Sequence, residues 1–134
     1  MPRDVLLRKL VYLRRLLHDL RAFAGASQAE IEAQHYAVER IIELLVGVAS
    51  DLLFHILAER GMQPCSYREA FKLAGQNGLL SIELADRLQL AAGMRNILVH
   101  MYEDIDYAIV HQSIGDLLSD FADFIAEAEQ WGGR

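Results

Sequence analysis

The residues with the most chemical potential are gathered in one stretch, Gly93-Met94-Arg95-Asn96-Ile97-Leu98-Val99-His100-Met101-Tyr102. Arginine presents a planar fork of donors that matches a phosphate. Histidine exchanges a proton near neutral pH, and a place at a helix C-terminus favours its charged form. These two types suffice to cut RNA through its own 2′-hydroxyl. A base takes the hydroxyl proton, an acid protonates the departing 5′-oxygen, and Arg95 stabilises the charge on the crowded phosphorus. Such chemistry calls for no metal and no other cofactor. Asn96, at i, i+4 from His100, can orient the imidazole or bind the phosphate. Tyr102 offers a phenol to a modifying enzyme, and a bulky anion placed there would block the site and repel RNA. The same residues also suit a structural role: a buried arginine ion pair, a satisfied histidine at a helix end and an amphipathic interface tyrosine. Arg-x4-His by itself leaves both readings open.

The element carrying the stretch reads as a helix. Leu84, Leu88, Ala91, Arg95, Leu98 and Tyr102 follow at steps of four and three and so share one stripe. Arg95 interrupts an otherwise apolar seam. The adjacent stripe, Ala85, Gln89, Ala92, Asn96 and His100, is small and polar. At about 100° per residue, Arg95 and His100 stand roughly 140° apart. On one straight helix they cannot meet. They converge if the helix ends near His100, or if two copies face each other.

Other candidate groups are weaker. Asp51 and His55 are spaced i, i+4 on the apolar second helix, which suits a helix-internal hydrogen-bonded pair or a supporting role towards the cleft. The five histidines show neither HExxH nor Cys/His ligand spacing, so no metal site is expected. Cys65 has no evident base beside it, and no glycine-rich phosphate loop is present.

The chain of 134 residues has the length of a single domain with one core. Net charge is −6, which does not advertise a nucleic-acid binder. The distribution is uneven, however: residues 1–21 carry six basic and two acidic groups, and residues 103–134 carry eight acidic groups and only Arg134. An RNA contact would need a local positive cleft, and most of these charges suit solvated helix faces. The longest apolar run, 41–54, is broken by Glu43 and Asp51, so no membrane span is expected. The start of the chain lacks a signal-peptide pattern, and a single cysteine points to the cytoplasm.

The remaining pattern predicts an all-α bundle of about five helices. The first covers residues 4–24, with the seam Leu6, Leu10, Leu13, Leu17, Leu20 and Gly25 at its C′ position. Ser27-Gln28-Ala29-Glu30 is a capping box opening one long helix to residue 60, about 50 Å, apolar nearly all round at its centre. Gly47, Ala49 and Ser50 would let another backbone approach it. Ser66-Tyr67-Arg68-Glu69 opens a short third helix, closed by Asn77-Gly78. Ser81 caps the fourth, which carries the key stretch. The last runs over 106–130, with the seam Val110, Ile114, Leu117, Phe121, Phe124 and Ala128, and order ends at Gly132-Gly133. Surplus apolar faces on the second and fourth helices suggest a homodimer.

Taken together, these residues resemble a known family. Arg95 to His100 looks like the Arg-polar-x3-His motif of the HEPN superfamily, and the added Tyr102 resembles the HepT toxins. Tyr36-Ala37-Val38-Glu39-Arg40 onward through Asp51 and His55 is similar to the family's long second helix, and Pro64-Cys65-Ser66-Tyr67-Arg68-Glu69-Ala70-Phe71 to its short-helix signature. The resemblance implies a dimeric HEPN bundle spanning residues 1–134, with two motif copies in a composite cleft. It implies a metal-independent endoribonuclease toxin in which Arg95 and His100 are catalytic and Asn96 auxiliary. It also implies a partner, an MntA-like minimal nucleotidyltransferase antitoxin that transfers AMP to Tyr102. A second reading is a catalytically weak binding module that is the substrate and partner of that enzyme, and a third is a purely structural helical dimer.

Overall fold

The computed structural model describes residues 1–133, so Arg134 lies outside the described residues. Six α-helices and two 3₁₀ turns make up the bundle, and no strand occurs among the described residues. α1 (Arg3–Arg21) buries Leu6, Leu10, Leu13, Leu17 and Leu20 along the expected seam, together with Leu16. It packs against α3 and α6. It ends earlier than the spacing predicts. Short-range bonds such as Phe23 N–H to Leu20 O and Ala24 N–H to Arg21 O wind the chain into turns, and Gly25 does not adopt positive φ.

The long second helix is in fact two. Ser27 accepts from Glu30 N–H at 3.1 Å and opens α2 (Gln28–Ala33), a helix of six residues. Gln34, at φ −109° and ψ 25°, breaks the path before α3 (His35–Glu59). The break has a packing cause. α2 lies against α6 and α3 against α1, α4 and α5, so one straight axis cannot serve both surfaces. Polar ties hold the corner. The Tyr107 hydroxyl donates to Glu39 Oε2 at 2.7 Å, His35 Nδ1 lies 2.7 Å from the same oxygen, and His111 Nε2 lies 2.9 Å from Ala26 O. Burial, then Glu39, pushes the Tyr107 phenol up to about 12.

α3 is long and apolar enough to cross a membrane by length and composition alone. Its residues Val38, Ile42, Leu45, Val46, Leu52, Leu53 and Leu57 are buried inside the bundle. Gly61, at φ +79°, follows its C-terminus, a conformation that glycine adopts without steric cost.

α4 (Tyr67–Gln76) and α5 (Ile82–His100) form an intimate pair. Ser66 caps α4 and Ser81 caps α5, each accepting from the backbone N–H three residues on. They approach tightly at Gly75, where an added Cβ would stand 2.6 Å from Ala85 Cβ. A 3₁₀ turn, Tyr102–Asp104, then leads to Asp106, whose carboxylate accepts from Ala108 N–H at 3.0 Å and opens α6 (Tyr107–Glu129). The whole expected α6 seam is buried. Arg87 on α5 binds Asp120 at 2.7 Å and Asp123 at 3.3 Å on α6. The core closes around Phe71, Phe124 and Trp131, stacked edge to face. Trp131 belongs to the final 3₁₀ turn, Gln130–Gly133, and its indole N–H donates to Leu79 O at 2.9 Å.

Candidate active site

α5 brings the motif to one end of the bundle. Leu84, Leu88, Ala91 and Leu98 are buried and anchor the helix. Arg95, on the same stripe, is half-buried. The expected continuation of that stripe to Tyr102 fails, because the α-helix stops at His100 and Met101 turns the chain at φ −124° and ψ 39°. Tyr102 therefore starts the 3₁₀ turn and points its phenol outward, 66% exposed. His100 is the last residue of α5 and is exposed.

Arg95 is held in an unusual way. Its Cζ lies 4.6 Å from the centroid of the Tyr67 ring on the first turn of α4, a cation–π geometry. Nη1 donates to Asn96 Oδ1 at 3.3 Å. Nε is enclosed and has no hydrogen-bond partner. No carboxylate pairs with Arg95 among the described residues. The buried ion pair that would suit a structural arginine is thus not formed, and the positive charge stays uncompensated. A second guanidinium stands close by: Arg68 Nη2 lies 3.5 Å from where a Cβ on Gly93 would be. Two guanidinium groups thus stand beside the motif, and Asp104 and Asp106 line the adjoining groove with Arg68.

Several expectations are revised. Asn96 contacts Arg95 rather than His100. The Asp51–His55 pair does not form. His55 Nε2 turns the other way, to Glu59 Oε1 at 3.3 Å, and Glu59 also binds the N-terminal amine that α1 brings across. Its carboxyl is held below the usual range chiefly by that amine. Asp51 and His55 are both exposed, and no hydrogen bond or ion pair links either to Arg95 or His100 among the described residues. Cys65 does have a carboxylate neighbour. Its thiol donates to Glu69 Oε2 at 2.6 Å, which raises the thiol pKa, the opposite of the shift that activates a cysteine nucleophile. Among the described residues no group of three or more metal-ligating side chains is gathered.

Arg95 and His100 are not joined by any hydrogen bond within one chain, as their angular separation requires. Beside them runs an apolar groove of about 440 Å³ between α5 and α6, lined among others by Arg68, Leu90, Met94, Ile97 and Ile109. Leu90 is 70% exposed and Ile109 54%. Tyr67 is the neighbour of Arg95 that spacing does not reveal. It lies on a different helix, and only the packing of α4 on α5 brings its ring to Arg95.

An all-α bundle with Arg-x4-His closing one helix and an exposed tyrosine two residues beyond defines a HEPN-type protein. The chain belongs to the ribonuclease HepT-like family, whose model matches residues 13–128. It is 27% identical over 129 residues to the mRNA nuclease HepT of Shewanella oneidensis, covering 91% of this chain and 94% of that protein. It is 28% identical over 127 residues to the tRNA nuclease HepT of Aphanizomenon flos-aquae, covering 92% of this chain and 86% of that protein. Among solved structures, the tri-AMPylated Shewanella oneidensis HEPN toxin in complex with its MNT antitoxin superposes with a TM-score of 0.85. The two are 25% identical, and the match covers 97% of this chain and 99% of that one.

Proposed function

We propose that this chain is the endoribonuclease toxin of a toxin–antitoxin pair, acting as a cytoplasmic homodimer and silenced by AMP transfer to Tyr102. The observation that carries the reading is the uncompensated guanidinium of Arg95 on the helix that ends at an exposed His100. Family membership supports it.

In this mechanism two copies of α5 face each other and complete one cleft. The apolar surface left open at Leu90, Ile97 and Ile109 supports such pairing. One His100 removes the proton from an RNA 2′-hydroxyl. The 2′-oxygen forms a bond to the adjacent phosphorus, and the bond from phosphorus to the 5′-oxygen breaks. The His100 of the other copy gives a proton to that leaving oxygen, so the products are a 2′,3′-cyclic phosphate and a free 5′-hydroxyl. Arg95 neutralises the charge that builds on the non-bridging oxygens, with Asn96 holding its Nη1. The step needs no metal or cofactor. Asp51 and His55 remain outside this cycle.

Tyr102 is the off-switch. Its exposed phenol attacks the α-phosphorus of ATP bound to a minimal nucleotidyltransferase antitoxin, pyrophosphate leaves, and the phenol proton passes to the antitoxin. The resulting phosphodiester places a negative charge and an adenosine two residues beyond His100, which repels RNA and covers the cleft. The Shewanella relative carries three AMP units, and further transfer onto the first AMP extends the same block here.

The test is intact mass and RNA cleavage on one purified protein, made with and without its cognate nucleotidyltransferase. Unmodified protein cleaves RNA, and Arg95→Ala or His100→Ala each lowers the rate by about 10²-fold or more while the dimer persists. Protein bearing AMP on Tyr102 does not cleave. A folded dimer of the double variant that still cleaves at the parental rate overturns the reading. Tyr102 modified on a protein inert towards both mRNA and tRNA favours the binding-module alternative.

A further inference from the structure

We propose that Tyr67 is a positioning residue for Arg95, holding the guanidinium in place without neutralising it. The inference rests on the reading of Arg95 as the phosphate-stabilising group. An arginine can be fixed by a carboxylate, but the pair then has no net charge left for a substrate. A ring face fixes the same cation through its quadrupole and leaves the full charge available. Arg95 shows the second arrangement. Its Cζ lies 4.6 Å from the Tyr67 centroid, and its one hydrogen bond goes to a neutral amide at 3.3 Å. Its Nε is enclosed with no partner, so the amide and the ring are the groups that set the plane of the fork.

Tyr67 is itself well supported. It opens α4 directly after Ser66, whose hydroxyl accepts from Glu69 N–H at 3.0 Å. Its ring rests against Phe54 of α3 at 5.9 Å between centroids. α4 and α5 also approach tightly at Gly75 and Ala85. Three helices thus converge on one stack. The Tyr67 hydroxyl has no hydrogen-bond partner among the described residues, so the ring face is the part that acts, and phenylalanine can replace it.

The test compares Tyr67→Phe and Tyr67→Leu in the unmodified full chain. Cleavage of bulk tRNA and of a synthetic mRNA fragment is followed at several substrate concentrations. In parallel, the Arg95 Nε–Hε resonance is read by NMR, because a ring face at this distance shifts it upfield. Tyr67→Phe keeps the shifted resonance and cleaves within about threefold of the parent. Tyr67→Leu loses the shift and its kcat falls by about tenfold or more, while its KM, dimer mass and melting temperature stay near parental values. Tyr67→Met serves the same purpose if the leucine variant does not fold. The proposal is overturned if the leucine or methionine variant cleaves at the parental rate, if phenylalanine is as damaging as leucine, or if the parental Nε–Hε is unshifted. A parent that cleaves neither RNA defeats the ribonuclease reading instead, and the resonance alone then decides whether Tyr67 orders Arg95.

Discussion

Gly75 is a tight point between α4 and α5, and a methyl group added there has a calculable effect. The new Cβ would lie 2.6 Å from Ala85 Cβ and 3.8 Å from Ile82 Cα. Two carbons settle at about 3.5–4.0 Å, so the helices must part by about 1 Å. Neither neighbour can move aside alone, since one atom is a short rigid side chain and the other is backbone. Overpacking of this kind costs about 1–3 kcal/mol. Alanine in place of glycine within a helix returns up to about 1 kcal/mol. Gly75→Ala is therefore expected to lose about 1–2 kcal/mol net, or several degrees in melting temperature for a domain of this size. Urea unfolding at fixed protein concentration measures it, because dimerisation would couple stability to concentration. The decisive variant is Gly75→Ala combined with Ala85→Gly, which moves the methyl group to the other helix. The pair should recover at least about 1 kcal/mol relative to the sum of the single changes. Strict additivity, or a single variant as stable as the parent, would refute the claim that α4 and α5 approach tightly here.

Three further outcomes follow from the same structure. Phe124→Ala, at a fully buried ring between Phe71 and Trp131, should cost about 3–5 kcal/mol in urea unfolding. Tyr107 has a folded pKa of about 12, raised from 10.0; its stabilisation is complete below pH 10 and is lost as pH climbs towards 12. An absorbance titration should accordingly show a late-ionising phenol in the parent that is missing from Tyr107→Phe, whose stability should also lack the corresponding alkaline decline. Stripping divalent cations with EDTA should leave RNA cleavage unchanged within about twofold, since a histidine pair and an arginine account for every proton and charge in the proposed step; abolished cleavage restored by one metal would show that an ion takes part.

Local rules made much of this molecule legible. Caps at Ser27, Ser66, Ser81 and Asp106 act within one helical turn. The α1 and α6 seams follow from periodicity alone, because side chains three and four apart must share a face. The chemical stretch could be read for the same reason, and so could the separation of Arg95 from His100. Reading failed wherever two solutions were locally equal. His55 has an acid one turn behind, Asp51, and one turn ahead, Glu59; the α1 N-terminus, arriving at Glu59, marks the side on which the pair forms.

What the sequence by itself determined is thus the set of helices, most of their ends, the apolar faces they bury and the candidate residues on which the proposed cleavage and modification rest. What only the tertiary structure decided is how those faces meet. It broke the long second helix at Gln34, so that α2 lies against α6 while α3 lies against α1, α4 and α5. It swung Tyr102 off the Arg95 stripe by ending α5 at His100, and it drew Trp131 back onto Leu79. It also laid Arg95 on the ring of Tyr67. The physical reason is one of range. Capping and periodicity are fixed by hydrogen bonds and side-chain positions within about four residues, whereas a stack, a break or a close approach depends on which distant surfaces exclude water together.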